Sequence, residues 1–149
     1  MTRIAIRPFA HADLPELHRM VCALAAHHGD TADVTPDELL HNVTGATPWA
    51  TLLIADAGGP VGYAALSRRI HLQWGRRGME LTNLWIDPVW RGGGAGRMLI
   101  DAARREARAL GCAYITVGTT EANIAAQKTY LRAGFEPQEA RGRRFCCAL

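Results

Sequence analysis

The stretch Leu84-Trp85-Ile86-Asp87-Pro88-Val89-Trp90-Arg91-Gly92-Gly93-Gly94-Ala95-Gly96-Arg97 decides how this chain is read. An apolar strand runs to Ile86, breaks at Asp87-Pro88, and leads into a glycine-rich loop that opens a helix. Glycines let backbone N–H groups converge, and a helix N-terminus adds about +0.5 of a charge. Together they form a site suited to phosphate. The loop lacks the lysine and Ser/Thr of a P-loop, because Arg97 and Met98 follow Gly96. It also departs from G-x-G-x-x-G: from Gly92 and Gly94 the third position is Arg97, and from Gly94 and Gly96 it is Leu99. Two common nucleotide-binding folds are thereby disfavoured. A glycine run alone is equally compatible with a flexible turn that binds nothing.

Working outward, helical spacing predicts a helix over 94–110, stopped by Gly111, then a β-branched strand over 113–117. A further helix is expected over 123–133, ended by Gly134, followed by closing strands over 135–138 and 143–147. Upstream, Arg3-Ile4-Ala5-Ile6-Arg7 alternates at period two and reads as a strand ended by Pro8. Residues 12–27 read as a helix, and Thr35-Pro36-Asp37-Glu38 opens another with capping-box chemistry. Strands over 49–56 and 61–68, joined at Gly58-Gly59, form a hairpin. A turn over 75–78 then precedes the strand over 79–86. Antiparallel hairpins followed by strand–helix–strand units describe an α/β domain with a mixed sheet.

The 149 residues fit one domain, 1–149, large enough to fold without a metal or disulfide staple. Hydrophobic residues make up 48% and charged residues 21%, which excludes a disordered chain. No apolar run approaches the ~20 residues that span a bilayer, and the N-terminus lacks the apolar core of a signal peptide. The expectation is a soluble, cytoplasmic protein. Cys22, Cys112, Cys146 and Cys147 have no C-x-x-C spacing and no zinc-like Cys/His cluster. They read as small apolar filler, and no metal is expected. Residues 1–60 hold seven acidic and three basic residues, whereas 61–149 hold seven and fourteen. A basic second half favours a polyanionic ligand, either a phosphorylated cofactor or nucleic acid. The nucleic-acid alternative, through Arg76, Arg77, Arg141, Arg143 and Arg144, lacks a helix-turn-helix, a stacking-aromatic motif or a zinc ligand set.

What fits the decisive stretch is Arg-x-x-Gly-x-Gly, read as Arg91, Gly94 and Gly96. A second block follows: Asn123, Tyr130 seven residues on, and Gly134-Phe135. Both blocks in this order resemble the GNAT superfamily of acetyl-CoA-dependent N-acetyltransferases, and the resemblance covers nearly the whole chain. It implies a mostly antiparallel mixed sheet with helices on both faces and a splayed central strand pair. It implies that the loop holding Arg91, Gly92, Gly94, Gly96 and Arg97 wraps the pyrophosphate of acetyl-CoA, mainly through backbone N–H groups. Backbone groups of Leu84 and Ile86 then hold the pantetheine arm and acetyl carbonyl. Asn123 hydrogen-bonds the cofactor, and Tyr130 faces the thioester sulfur. For the residues alone, Asn123 also reads as a helix cap and Tyr130 as a core aromatic.

An amine attacking a thioester must first lose a proton, since alkylammonium groups titrate near ~10. Many relatives carry a glutamate where this chain has Thr82, which is no base at neutral pH. Glu80, two residues earlier and on the same face of a regular strand, is the candidate base through water. His71 is the second candidate. A narrower resemblance, from Leu24-Ala25 through Thr35, Glu38-Leu39-Leu40 and Pro48 to Ile54-Ala55, is to the spermidine/spermine and related diamine acetyltransferases. Those enzymes carry an acidic pair where Thr82 and Asn83 stand here, and its loss counts against a polyamine. Asp30, Asp33, Asp37 and Glu38 offer a rim for a cationic amine. The expected reaction is acetyl transfer to a small-molecule primary amine by direct attack in a ternary complex. Acetylation of a protein N-terminus or lysine, and a silent acyl-CoA-binding module, are the alternatives. The resemblance also implies a homodimer.

Overall fold

The computed structural model describes residues 2–140 and 142–149, and Arg141 lies outside them. The chain divides after Gly118 into two compact units. The first carries a five-stranded sheet in the order β1 (Ala5–Pro8), β2 (Thr51–Asp56), β3 (Pro60–His71), β4 (Arg76–Ile86), β5 (Tyr114–Val117). Its first three pairings are antiparallel, and β4 runs parallel to β5. The expected α/β fold with a mixed, mostly antiparallel sheet is therefore present.

Alternation along the strands divides the core between two helical layers. On one face Leu17, Met20 and Leu24 of α1 (Leu14–His27) pack on Leu52, Ile54, Tyr63, Ala65 and Trp85, with Leu39 and Val43 of α2 (Pro36–Val43) at the edge. The intervening residues Leu53, Ala64, Leu66 and Leu81 are buried on the opposite face. There α3 (Ala95–Ala109) lies across the sheet and buries Leu99, Ile100 and Ala103. The capping box of α2 forms as expected. Glu38 N–H donates to Thr35 Oγ1 at 3.2 Å, and Thr35 N–H donates to the Glu38 carboxylate at 2.8 Å. Hydrogen bonding from the Thr35 N–H, and then from the Thr35 side chain, holds the Glu38 carboxyl below its ordinary pKa, so this member of the expected acidic rim serves as a cap. Near β1, buried Asp13 accepts two bonds from Arg7, at 2.7 and 2.8 Å, and one from Ala10 N–H.

Three expectations are corrected. The β3–β4 hairpin is longer than its apolar pattern, because Arg68, Arg69, Ile70, Arg76 and Arg77 continue the ladder beyond the core. Its turn is the single helical turn Leu72–Trp74, closed by Gly75 at φ +59°. The closing strands over 135–138 and 143–147 are absent. Pro137 lacks an N–H for a ladder, and Phe145, the largest apolar side chain of the second segment, is 92% exposed. A strand that buries nothing gains nothing to offset its ordering entropy. Cys146 and Cys147 are exposed there and fill no core. The second unit's regular element is α4 (Ile124–Arg132).

Candidate functional site

The site is built on β4 and the loop that follows it. β5 pairs with β4 only from Gly78 to Leu81. From Thr82 to Ile86, β4 has no strand on that side among the described residues, while β3 stays paired on the other. This is the expected splay. Asp87 N–H donates to the Val61 carbonyl at 2.9 Å, and Ile86 stands opposite Gly62. Antiparallel alternation therefore turns the N–H and C=O of Trp85 toward β3 and those of Leu84 and Ile86 away from it. Leu84 and Ile86 thus present backbone donors to the side without a strand, as a pantetheine arm requires.

The strand is not regular. Asn83 pairs with Ala65 and Leu81 with Leu66, so Thr82 is an extra residue, a β-bulge. Its hydroxyl donates back to the Ala65 carbonyl at 3.2 Å. Glu80 pairs with Ser67, two residues from Ala65, and so shares the α1 face with Asn83 and Trp85. The expectation that Glu80 and Thr82 lie on one face of a regular strand is corrected: the bulge shifts Glu80 onto the face it would otherwise miss. Its carboxylate accepts a 2.8 Å bond from Arg69, raising the guanidinium's pKa further. Beside it in β5, the hydroxyl of Thr116 is buried with no hydrogen-bond partner among the described residues. His71, the second candidate base, ends β3, with its ring 5.1 Å from Trp74 and 5.3 Å from Tyr114.

The loop after β4 is anchored by side chains. Asp87 accepts two bonds from Arg19 of α1, at 3.0 and 2.7 Å, and one from Trp85 Nε1 at 2.9 Å. Burial alone would raise the Asp87 carboxyl, but Arg19 and Trp85 outweigh it and hold it below the ordinary range. Arg91 turns back, donating from Nε to the Ile86 carbonyl at 2.8 Å while its guanidinium lies 4.7 Å from the Trp85 ring centroid. Arg91 thus ties the loop to the strand it leaves, a role its motif spacing does not disclose.

Gly92 and Gly94 have φ of +79° and +90°, a region that side chains rarely adopt, and nothing lies within 4 Å of a Cβ built at Gly92, Gly94 or Gly96. Gly94 is the N-cap of α3 and, being glycine, gives the helix end no capping side chain, and Met98 N–H donates to the Gly94 carbonyl. The amides of Ala95, Gly96 and Arg97 precede that bond, so they have no carbonyl within the helix. The Ala95 and Gly96 amides, the open space and a fifteen-residue helix dipole fit a pyrophosphate. Arg97, on the first turn, pairs with Asp101 at 3.1 Å.

In the second unit, Asn123 caps α4, its side-chain oxygen accepting from Ala126 N–H at 3.1 Å. Tyr130 meets Phe135 edge-on at 5.8 Å, and burial raises its phenol pKa. The structure brings Leu84, Ile86, Glu80 and the Arg91–Arg97 loop together on β4 and its exit, whereas Asn123 and Tyr130 stand on α4. Among the described residues, no group of three or more His, Cys, Asp or Glu side chains could hold a metal, and no helix is long and apolar enough to cross a membrane.

Two of the solved structures that share this fold are acetyltransferases. An aminoglycoside acetyltransferase from an uncultured soil metagenomic sample, in complex with trehalose, superposes with a TM-score of 0.80 at 16% identity, covering 97% of this chain and 96% of its own. An aminoglycoside N-acetyltransferase in complex with CoA gives 0.80 at 22% identity, covering 99% and 97%. In sequence, a mycothiol acetyltransferase of Propionibacterium freudenreichii subsp. shermanii is 32% identical over 132 residues, 85% of this chain. The match spans only 41% of that relative's length. Residues 16–135 match the model of the Acetyltransferase (GNAT) family, and the chain belongs to that family.

Proposed function

We propose that residues 1–149 form one N-acetyltransferase domain that moves acetyl from acetyl-CoA to a primary amine of a small molecule, by direct attack in a ternary complex. The observation that carries this reading is the strand-free edge of β4 from Thr82 to Ile86, leading into an α3 N-terminus capped only by Gly94. The loop amides and the Gly92, Gly94 and Gly96 backbone take the pyrophosphate. Leu84 and Ile86 take the pantetheine amides. N–H groups on this edge also stabilise the oxyanion as the amine attacks the thioester carbonyl. Holding both reactants removes much of the entropic barrier.

Glu80 takes the amine's proton through water, and its exchange between Arg69 and that water sets its availability. By the family motif, Asn123 binds the cofactor and the Tyr130 hydroxyl donates to the leaving thiolate, a role suited to a phenol held protonated by burial. The mycothiol acetyltransferase relative favours a small-molecule acceptor over a protein. The same reading places the chain in the cytoplasm as a homodimer, with no metal and no nucleic acid or membrane partner.

The test is thiol release from acetyl-CoA across an amine panel, with calorimetry of acetyl-CoA binding. Gly94→Glu puts bulk and negative charge where the pyrophosphate lies, and binding is expected to vanish. Unchanged affinity in a folded Gly94→Glu protein overturns the cofactor assignment.

A further inference from the structure

Beyond the core, the β3–β4 hairpin carries a second arrangement on its α3 side. Arg68 pairs across the ladder with Met79, and Ile70 with Arg77. The two arginines are therefore diagonal neighbours on one face, about 7–8 Å apart at most between Cβ atoms. Like charges so placed repel unless an anion lies between them. Neither guanidinium has an ion pair or a side-chain hydrogen bond among the described residues; Arg69, between them in sequence, points to the opposite face and pairs with Glu80. Arg68 and Arg77 rim a half-open cleft of about 440 Å³, whose walls include Ile70, Met79, Leu110 and Cys112.

Met79 is fully buried, whereas Ile70 is exposed. The apolar floor and paired cationic rim call for two chemistries at once. An alkyl or aryl body would cover Ile70 and Leu110, and a carboxylate or sulfonate would bridge the guanidiniums. The volume lies within the range of small-molecule sites. The cleft lies at the hairpin end of β4, away from the Leu84–Ile86 edge, so its occupant is distinct from acetyl-CoA.

We propose that this cleft binds a small amphipathic organic anion, of the class of medium-chain carboxylates. The inference does not rest on the acetyl-transfer reading: Arg68 and Arg77, which carry it, take no part in that site, although Arg69, which also lines the cleft, pairs with Glu80.

Calorimetric titration of the full chain with octanoate tests it, with octanamide and inorganic phosphate as comparison probes. Octanoate is expected to saturate one site, with octanamide and phosphate each weaker by about tenfold or more, given ~1.5–3 kcal/mol for a hydrogen bond to a charged group. A folded Arg68→Gln/Arg77→Gln double variant is expected to lose octanoate affinity by a similar factor while its acetyl-CoA affinity stays unchanged. Octanoate should also slow alkylation of Cys112 but not of Cys22. Three results each overturn the proposal: no saturable octanoate binding, equal binding of octanamide or phosphate, or undiminished affinity in the double variant.

Discussion

The two halves of β4 have similar strand geometry and opposite fates. From Gly78 to Leu81 the strand is sandwiched between β3 and β5, so its backbone is consumed by structure. From Thr82 to Ile86 it keeps only β3, and Leu84 and Ile86 hold donors in reserve. The boundary is marked by the Thr82 bulge, where side-chain facing also changes. A single strand thus supplies rigidity at one end and unsatisfied backbone at the other. The difference lies in where the neighbouring strand ends, and in one inserted residue. Composition distinguishes the halves poorly.

Glu80 stands on the paired side of that boundary, and its replacement probes whether the paired half contributes to chemistry. Glu80→Gln keeps the shape and removes the basic carboxylate. It is expected to lower kcat at neutral pH by about 10²–10⁴-fold, and the deficit should shrink at high pH as free amine becomes abundant. Tyr130→Phe is expected to show no such rescue. A Glu80→Gln protein with an unchanged pH–rate profile would confine the reaction to the unpaired half of β4, with His71, a held water or bulk solvent taking the proton.

Gly78 tests the paired half as structure. A Cβ built there runs into the ring of Tyr114, its partner on β5. Gly78→Val is expected to destabilise the protein by about 3 kcal/mol, the upper range of overpacking, measured by urea unfolding. Because the cost comes from one ring, Tyr114→Ala added to Gly78→Val should recover much of it, a coupling that a double-mutant cycle reads directly. If the double variant is no more stable than Gly78→Val, the two strands are not held apart by this contact.

How far the sequence disclosed these halves follows from the range of the interactions involved. The Gly94 helix start, the Thr35–Glu38 capping box and the Asn123 cap are local chemistry, legible within a few residues. The splay of β4 was legible only through family resemblance. Strand pairing is non-local, and nothing between Met79 and Ile86 states where β5 stops. The place of the Thr82 bulge is not legible in β4 alone, because a bulge is defined by its partner strand, here Ala65-Leu66. The arginines at 69, 76 and 77 hide the hairpin's length, since exposed strand ends carry no apolar alternation. At the C-terminus the expected strands over 135–138 and 143–147 do not form, because one aromatic beside proline or arginines does not make a buried face. Arg91 matched its motif while its side chain acts on Ile86 and Trp85, a fold-back that spacing cannot reveal.

Asp87 ends the unpaired half, and its titration measures how firmly the loop is pinned. Arg19 and Trp85 bond the ionised carboxylate, so the folded pKa lies below the ordinary value of about 3.9. A depressed carboxylate contributes stability that is fully present above its unfolded pKa and is lost as pH falls through the folded value. Asp87→Asn keeps the size but gives up the charge. It is expected to cost about 2 kcal/mol at pH 7, the scale of a hydrogen bond to a charged group. The difference from the parent protein should then close progressively below about pH 4, where protonation removes the same charge from the parent. Urea midpoints at pH 7, 5, 4 and 3 follow this directly. Since Asp87 precedes the loop by only a few residues, acetyl-CoA affinity should fall less steeply in Asp87→Asn than in Gly94→Glu. A gap between parent and variant that stays constant down to pH 3 would show that Arg19 holds α1 to the strand end by shape rather than charge, leaving Arg91 as the loop's main tether.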